Sequence, residues 1–177
     1  MSDAGKVVVN RAMSLDGFIA GPGDAMERIV GYGTQFSFPE VEQATGAMLV
    51  GRRTYEVGRR MSTGDAAAYD GGPVFVLTHR PPDEPDRTVT FLHGDLAEAV
   101  DTAGAAAGGK SLEILGADLA AQCLQRGLVD EILVYVLPLL LGDGVRFSAP
   151  GLDPVELEPL GSSRSGPVTM LRYRVRR

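Results

Sequence analysis

The chain has 177 residues, 44% of them hydrophobic and 23% charged, with a formal net charge of −6 at pH 7; that is enough chain for one domain with a full core and short for two. The acidic balance argues against nucleic acid as a partner, because a polyanion needs a basic surface, yet it leaves room for a local basic pocket around one small anion. A single cysteine, Cys123, excludes an internal disulfide and a cysteine-rich zinc site, and two distant histidines, His79 and His93, give no metal centre. A polar start, "MSDAGK", leads straight into a strand without a signal-peptide pattern, and the longest apolar run, "ILVYVLPLLLG", is 11 residues with a proline inside. That run is too short to span a bilayer. The expectation is a cytoplasmic protein with no membrane partner, organised as one domain over 1–177.

In chain order, residues 6–12 ("KVVVNRA") read as a first strand, followed by a loop punctuated by Gly17, Gly21, Pro22 and Gly23. Residues 26–38 hold aromatics and glycines without a clean period and read as an irregular segment over a site. "PEVEQATG" has proline at a first helical position, acids in its first turn and a closing glycine, and reads as a short helix. Strand and helix then alternate: strand 47–50, helix 53–59, strand 73–78, strand 88–92, a helix capped by Asp95 and closed by Gly108-Gly109, strand 111–115, and helix 118–126 closed by Gly127. "DEILVYVLPLLLG" reads as a long strand whose inner proline suggests a sheet edge or a bulge. The chain closes on an alternating strand with Val168, Met170, Tyr173 and Val175 against polar neighbours. The strand–helix units imply parallel strands covered on both faces, and the last two strands an antiparallel addition at one edge. The fold class expected is therefore α/β.

Ligands of an open α/β sheet bind beyond the carboxyl ends of its strands. Gly51-Arg52-Arg53-Thr54 follows strand 47–50, Thr78-His79-Arg80 follows strand 73–78, and Gly116-Ala117-Asp118 follows strand 111–115. Arginines, hydroxyls and a glycine at a helix start would gather on one rim. A helix N-terminus offers free N–H groups and partial positive charge, and arginine adds bidentate donors. That chemistry suits a dinucleotide diphosphate plus one further phosphate, such as the one NADP carries on its ribose. The G-x-G-x-x-G pattern of an ordinary Rossmann site is absent.

The stretches "MSLDGFIAG", "LVGRRTYE", "VLTHRP" and "LGADLAAQCLQRGLVDEILVYVLPLLLGDGVRF", in that order, resemble the dihydrofolate-reductase-like family, in the branch of the reductase domain of the riboflavin-biosynthesis deaminase–reductase. The similarity runs over residues 6–176. It implies a three-layer α-β-α fold with a mostly parallel mixed sheet of about eight strands, and NADPH lying across the strand ends. It assigns Gly51, Arg52, Arg53 and Thr54 to the cofactor's phosphates, Thr78, His79 and Arg80 to the adenine ribose, and Leu115, Gly116, Ala117, Asp118 and Leu119 to the turn over the diphosphate. Ala12 and Ile19 flank the loop that holds the nicotinamide carboxamide, and Asp16 and Gly17 lie in that loop, Asp16 on the substrate side or as a residue that fixes the loop's shape. Gly116-Ala117 stands where many relatives carry Gly-Gly, and Glu40 and Glu42 read as acids of a helix start rather than as a substrate carboxylate. No deaminase zinc motif is present.

The reading that follows is an NADPH-dependent reductase of a small heterocycle: the pyrimidine of riboflavin biosynthesis, as in 5-amino-6-(5-phosphoribosylamino)uracil reductase activity, a pterin, or a related compound. Tyr32, Phe36 and Phe38 could stack on a flat substrate, with local core as the competing reading, and Arg11 and Arg146 are candidate cations for a sugar phosphate, with a surface or structural role as the competing reading. The alternative is a non-catalytic or regulatory NADP(H)-binding homodimeric module. The resemblance implies a homodimer, and the apolar run around Val136, if it formed an edge strand, would need such a cover.

Overall fold

The computed structural model describes residues 5–61, 72–84 and 86–177. Among the described residues, ten strands and five α-helices follow one another as β1 (Val7–Ser14), β2 (Phe18–Ala20), α1 (Glu27–Val30), α2 (Pro39–Ala44), β3 (Thr45–Gly51), α3 (Arg52–Met61), β4 (Val74–Leu77), β5 (Thr90–Leu92), α4 (Leu96–Ala106), β6 (Ser111–Leu115), α5 (Ala117–Gln125), β7 (Glu131–Leu137), β8 (Val145–Arg146), β9 (Leu157–Ser165) and β10 (Val168–Val175). Eight strands form one sheet in the order β5-β4-β3-β6-β1-β7-β10-β9, and β2 pairs β8 in a separate ribbon. From β5 to β7 every pairing is parallel, whereas β10 runs antiparallel to both β7 and β9. This is the expected mixed α/β sheet.

Continuous apolar runs form the central strands because both faces are covered. Val9, Leu49, Leu112 and Ile114 pack with Leu96 and Val100 of α4 and with Leu119 and Cys123 of α5. On the other face Val8, Leu133, Leu137 and Met170 pack with Ile29 and Phe38. Asp95 caps α4 as expected: its Oδ1 accepts the Ala97 and Glu98 amides at 2.7 and 3.3 Å.

The "ILVYVLP" stretch departs from expectation. β7 is an interior strand, paired to β1 on one side and β10 on the other, and it ends at Leu137, one residue before Pro138. The proline, which lacks a donor, terminates the strand instead of sitting within it. Val136 therefore packs in the sheet, against Met13 and Thr169 in register, and forms no exposed edge awaiting a cover. The edge on this side of the sheet is β9, a strand absent from the sequence reading. Its side chains are mostly exposed and its register shifts opposite Arg172 and Tyr173. Polar residues, Pro159 and this irregularity are the usual devices that blunt an edge against further pairing.

One buried ion cluster ties the sheet's middle to its antiparallel end. Glu131, only 2% exposed, accepts from Lys6 Nζ at 2.6 Å and Arg172 Nε at 2.7 Å.

Candidate functional site

Parallel pairing brings the predicted strand exits side by side. Gly51 of β3 lies in register with Leu77 of β4, Val50 with Leu115 of β6, and Val9 of β1 with Ile114 of β6. Gly51, Thr78, Gly116 and Ala12 thus line one rim. α3 starts directly after Gly51 and α5 directly after Gly116, so two helix N-termini with unpaired N–H groups open onto it. Gly116 is the N-cap of α5, with φ +104° and ψ +132°, and no side chain caps the helix. A Cβ at this position would fall 2.7 Å from Thr54 Oγ1, so the backbone of Gly116 and the side chain of Thr54 close the floor of the rim between them.

Arg52 and Arg53 part company. Arg52 donates through Nε to Glu56 Oε1 and through Nη1 to the Arg80 carbonyl, both at 2.7 Å. The Arg80 amide in turn donates to Thr78 Oγ1 at 3.1 Å, which shapes the turn after β4. Arg52, Arg59, Arg60 and Arg80 surround an open cleft of about 500 Å³, on a floor of Tyr55 and Phe91. The two rings meet edge to face with centroids 5.3 Å apart, and the Tyr55 hydroxyl donates to Asp86 Oδ2 at 2.6 Å. Hydrogen bonds from Thr88 and Tyr55 hold the Asp86 carboxyl below its usual range. Arg53 turns instead to Asp24, with Nη2 to Oδ1 at 2.8 Å and Nε to Oδ2 at 2.9 Å, and latches the segment after β2 to the start of α3. His79 and Asp118 are exposed, Leu115 and Ile19 half-buried, and the Leu119 side chain belongs to the core.

Asp16 is a loop clamp. Its carboxylate accepts from Ser14 Oγ at 2.6 Å, from the Leu141 amide at 3.1 Å and from the Gly142 amide at 2.7 Å. These bonds, the Ser14 hydroxyl foremost, pull its pKa down to about 2. Its oxygens are thus engaged within the chain, joining the loop after β1 to the loop after β7, rather than turned toward a substrate.

On the opposite face, Ala12, Tyr32 and Phe36 pack on the cluster that contains Phe38. Phe38 is a core residue at 5% exposure, stacked on Tyr135 with centroids 5.3 Å apart, and Phe36 tilts against the same ring at 5.2 Å. Burial therefore leaves Phe38 no open face for a ligand, and Tyr32 and Phe36 are the half-buried members. Beneath them runs a polar network that the sequence reading missed. Asn10 Nδ2 donates to Glu113 Oε1 at 3.0 Å and to the Tyr135 hydroxyl at 3.3 Å, and Thr45 Oγ1 lies 2.6 Å from the same Glu113 oxygen. Glu113, Asn10 and Thr45 are all buried, and Asn10 Oδ1 has no hydrogen-bond partner among the described residues. Burial, first of all, raises the Tyr135 hydroxyl to about 12. The signal in the sequence was a polar residue inside each of two apolar strands, "VVVN" and "SLEIL". Glu40 and Glu42 are exposed on α2, as acids of a helix start.

Arg11 is also buried, at 6% exposure. Its Nη2 donates to the Gly116 carbonyl at 3.1 Å and its Nη1 to the Phe147 carbonyl at 3.4 Å, with the Phe147 ring centroid 5.2 Å from the guanidinium carbon. Arg146 is exposed and lies over the Phe18 ring at 4.9 Å.

Comparison with known proteins agrees with this geometry. The profile of the RibD C-terminal domain matches residues 5–171. The chain is 27% identical over 172 residues to the uncharacterized protein YwjB of Bacillus subtilis, covering 95% of this chain and 97% of that one. A candidate riboflavin-biosynthesis protein from Shewanella sp. PV-4 superposes with a TM-score of 0.78 at 22% identity, covering 97% of this chain and 99% of that one. The diaminohydroxyphosphoribosylaminopyrimidine deaminase/5-amino-6-(5-phosphoribosylamino)uracil reductase of Thermotoga maritima gives 0.66 at 17% identity, over 98% of this chain and 57% of that one. Dihydrofolate reductase of Enterococcus faecalis, solved with NADP(H), gives 0.64 at 15% identity, over 98% of both chains. The fold is thus that of dihydrofolate reductase and of the riboflavin reductases, and the chain belongs to the RibD C-terminal domain family.

Proposed function

We propose that the protein is an NADPH-dependent reductase of a small heterocyclic substrate. The observation that carries this reading is the rim itself: glycine-led starts of α3 and α5 stand beside a cleft walled by Arg52, Arg59, Arg60 and Arg80. The residues fit the cofactor. The Gly116 backbone lies so close to Thr54 Oγ1 that a Cβ would not fit between them, which puts bare backbone and a hydroxyl at the rim. The unpaired amides of the α5 N-terminus suit a diphosphate, and the arginines suit the extra phosphate that separates NADPH from NADH. Ala117 replaces the second glycine of many relatives, which narrows the approach to the backbone there. When bound, NADPH supplies the hydride, and the protein binds, orients and shields it. On this reading Ala12 would meet the nicotinamide end, and it packs on the same face as Tyr32, Phe36 and the Asn10–Glu113–Tyr135 network, where a flat ring bearing polar edges would lie.

A second reading, a nucleotide-binding homodimeric module without turnover, is favoured by one observation: both acids of α2 point to solvent. The test is a titration followed by reduced-nicotinamide fluorescence, then NADPH oxidation with pterins and pyrimidines. The reductase reading expects NADPH to bind more tightly than NADH and to be oxidised. Arg52→Ala should cost NADPH about tenfold or more in affinity, the worth of one charged hydrogen bond, and leave NADH nearly unchanged. Arg53→Ala should not discriminate between the two, because Arg53 grips Asp24. Binding without oxidation would favour the module, and binding of neither cofactor would overturn both readings.

A further inference from the structure

Arg11 is a charge without a counter-charge. It is 6% exposed, and among the described residues no carboxylate pairs with it; its partners are two backbone carbonyls and a phenylalanine ring. Its Nε has no acceptor among the described residues. Burial lowers its pKa to about 10, which still leaves it cationic at neutral pH. An unpaired buried ion costs several kcal/mol, and an apolar side chain of similar size would serve packing better. Glu131, by contrast, is buried and paired twice. The fold thus tolerates a cost at Arg11 that it avoids elsewhere.

The carbonyl that Arg11 holds is that of Gly116, the N-cap of α5, which also accepts the Ala120 amide at 3.0 Å. In a planar trans peptide the N–H points opposite to the C=O. With the carbonyl tied down from below, the Ala117 N–H is held toward the rim. We infer that Arg11 is a positioning residue for the cofactor diphosphate: a buried cation beneath the α5 N-terminus whose counter-anion arrives with the ligand. The inference rests on the NADPH reading above and adds to it a residue that acts through Gly116 rather than by contact. Its charge adds to the helix-start field in a low-dielectric setting, where an ion pair is screened far less than at the surface.

The test compares wild type with Arg11→Met, which keeps the length without the charge, and Arg11→Gln, which keeps a donor for the carbonyl. NADPH and adenosine 2′-phosphate are titrated separately; the latter carries the extra ribose phosphate but neither phosphate of the diphosphate. Both variants should melt at or above the wild-type temperature, lose about tenfold or more in NADPH affinity, and bind adenosine 2′-phosphate as wild type does. Variants that bind NADPH like wild type would overturn the inference while leaving the reductase reading intact. So would variants that unfold or that lose both ligands equally, since the charge would then serve the fold. A wild-type protein that binds neither ligand would overturn the reductase reading and this inference with it.

Discussion

Gly116→Ala tests the closure of the rim directly. The new Cβ would lie 2.7 Å from Thr54 Oγ1 but 3.7 Å from Thr54 Cβ and 3.9 Å from the Gly51 nitrogen. Only the hydroxyl is too close. The residue would also keep φ at +104°, a conformation that L side chains adopt at a cost of about 1–3 kcal/mol. Forcing Thr54 aside adds a similar amount, about 1–3 kcal/mol for overpacking. The single variant should therefore lose about 4 kcal/mol, or roughly 10 °C in Tm for a chain of this length. Gly116→Ala combined with Thr54→Ala removes the clash and keeps the backbone strain, so about half the loss should return. Urea unfolding of the four proteins of this cycle, with unchanged m-values, measures both parts. A double variant no more stable than Gly116→Ala alone would refute the contact as the cause.

Other positions test the clamps of the fold. Glu131→Ala leaves Lys6 and Arg172 without the carboxylate they share and should cost about 3 kcal/mol in urea unfolding; a loss below about 1 kcal/mol would place the pair among ordinary surface bridges. Asp16 has a folded pKa of about 2 against 3.8 unperturbed, so its contribution is complete above about pH 4 and fades as pH falls toward 2. The stability gap between wild type and Asp16→Asn should shrink over that interval in acid denaturation, and a gap independent of pH would contradict the hydrogen-bond account.

The gathering of the predicted strand exits on one rim was legible because strand exits are local features. An apolar run, a glycine and then arginines can be read in eight residues, and parallel strands must all exit on one side. The sequence could not separate Arg52 from Arg53. Adjacent helical residues point about a quarter-turn or more apart, and what waits there, the Arg80 carbonyl for one and Asp24 for the other, lies 28 and 29 residues away. Asp16 was readable as a loop residue, but its engagement with the amides of Leu141 and Gly142 spans 125 and 126 positions.

The sequence by itself determined the alternation of strands and helices, the capped α4, the glycine-led helix starts and the resemblance that named the fold. These depend on residue type and spacing over a few turns of chain. Only the tertiary structure decided that β7 lies inside the sheet, that the antiparallel edge belongs to the polar β9, and that Arg11, Asn10 and Glu113 are buried. Strand order and burial are set by partners far away in the chain. A strand takes its place from the neighbour that satisfies its backbone hydrogen bonds, and a charge declares its role through what surrounds it.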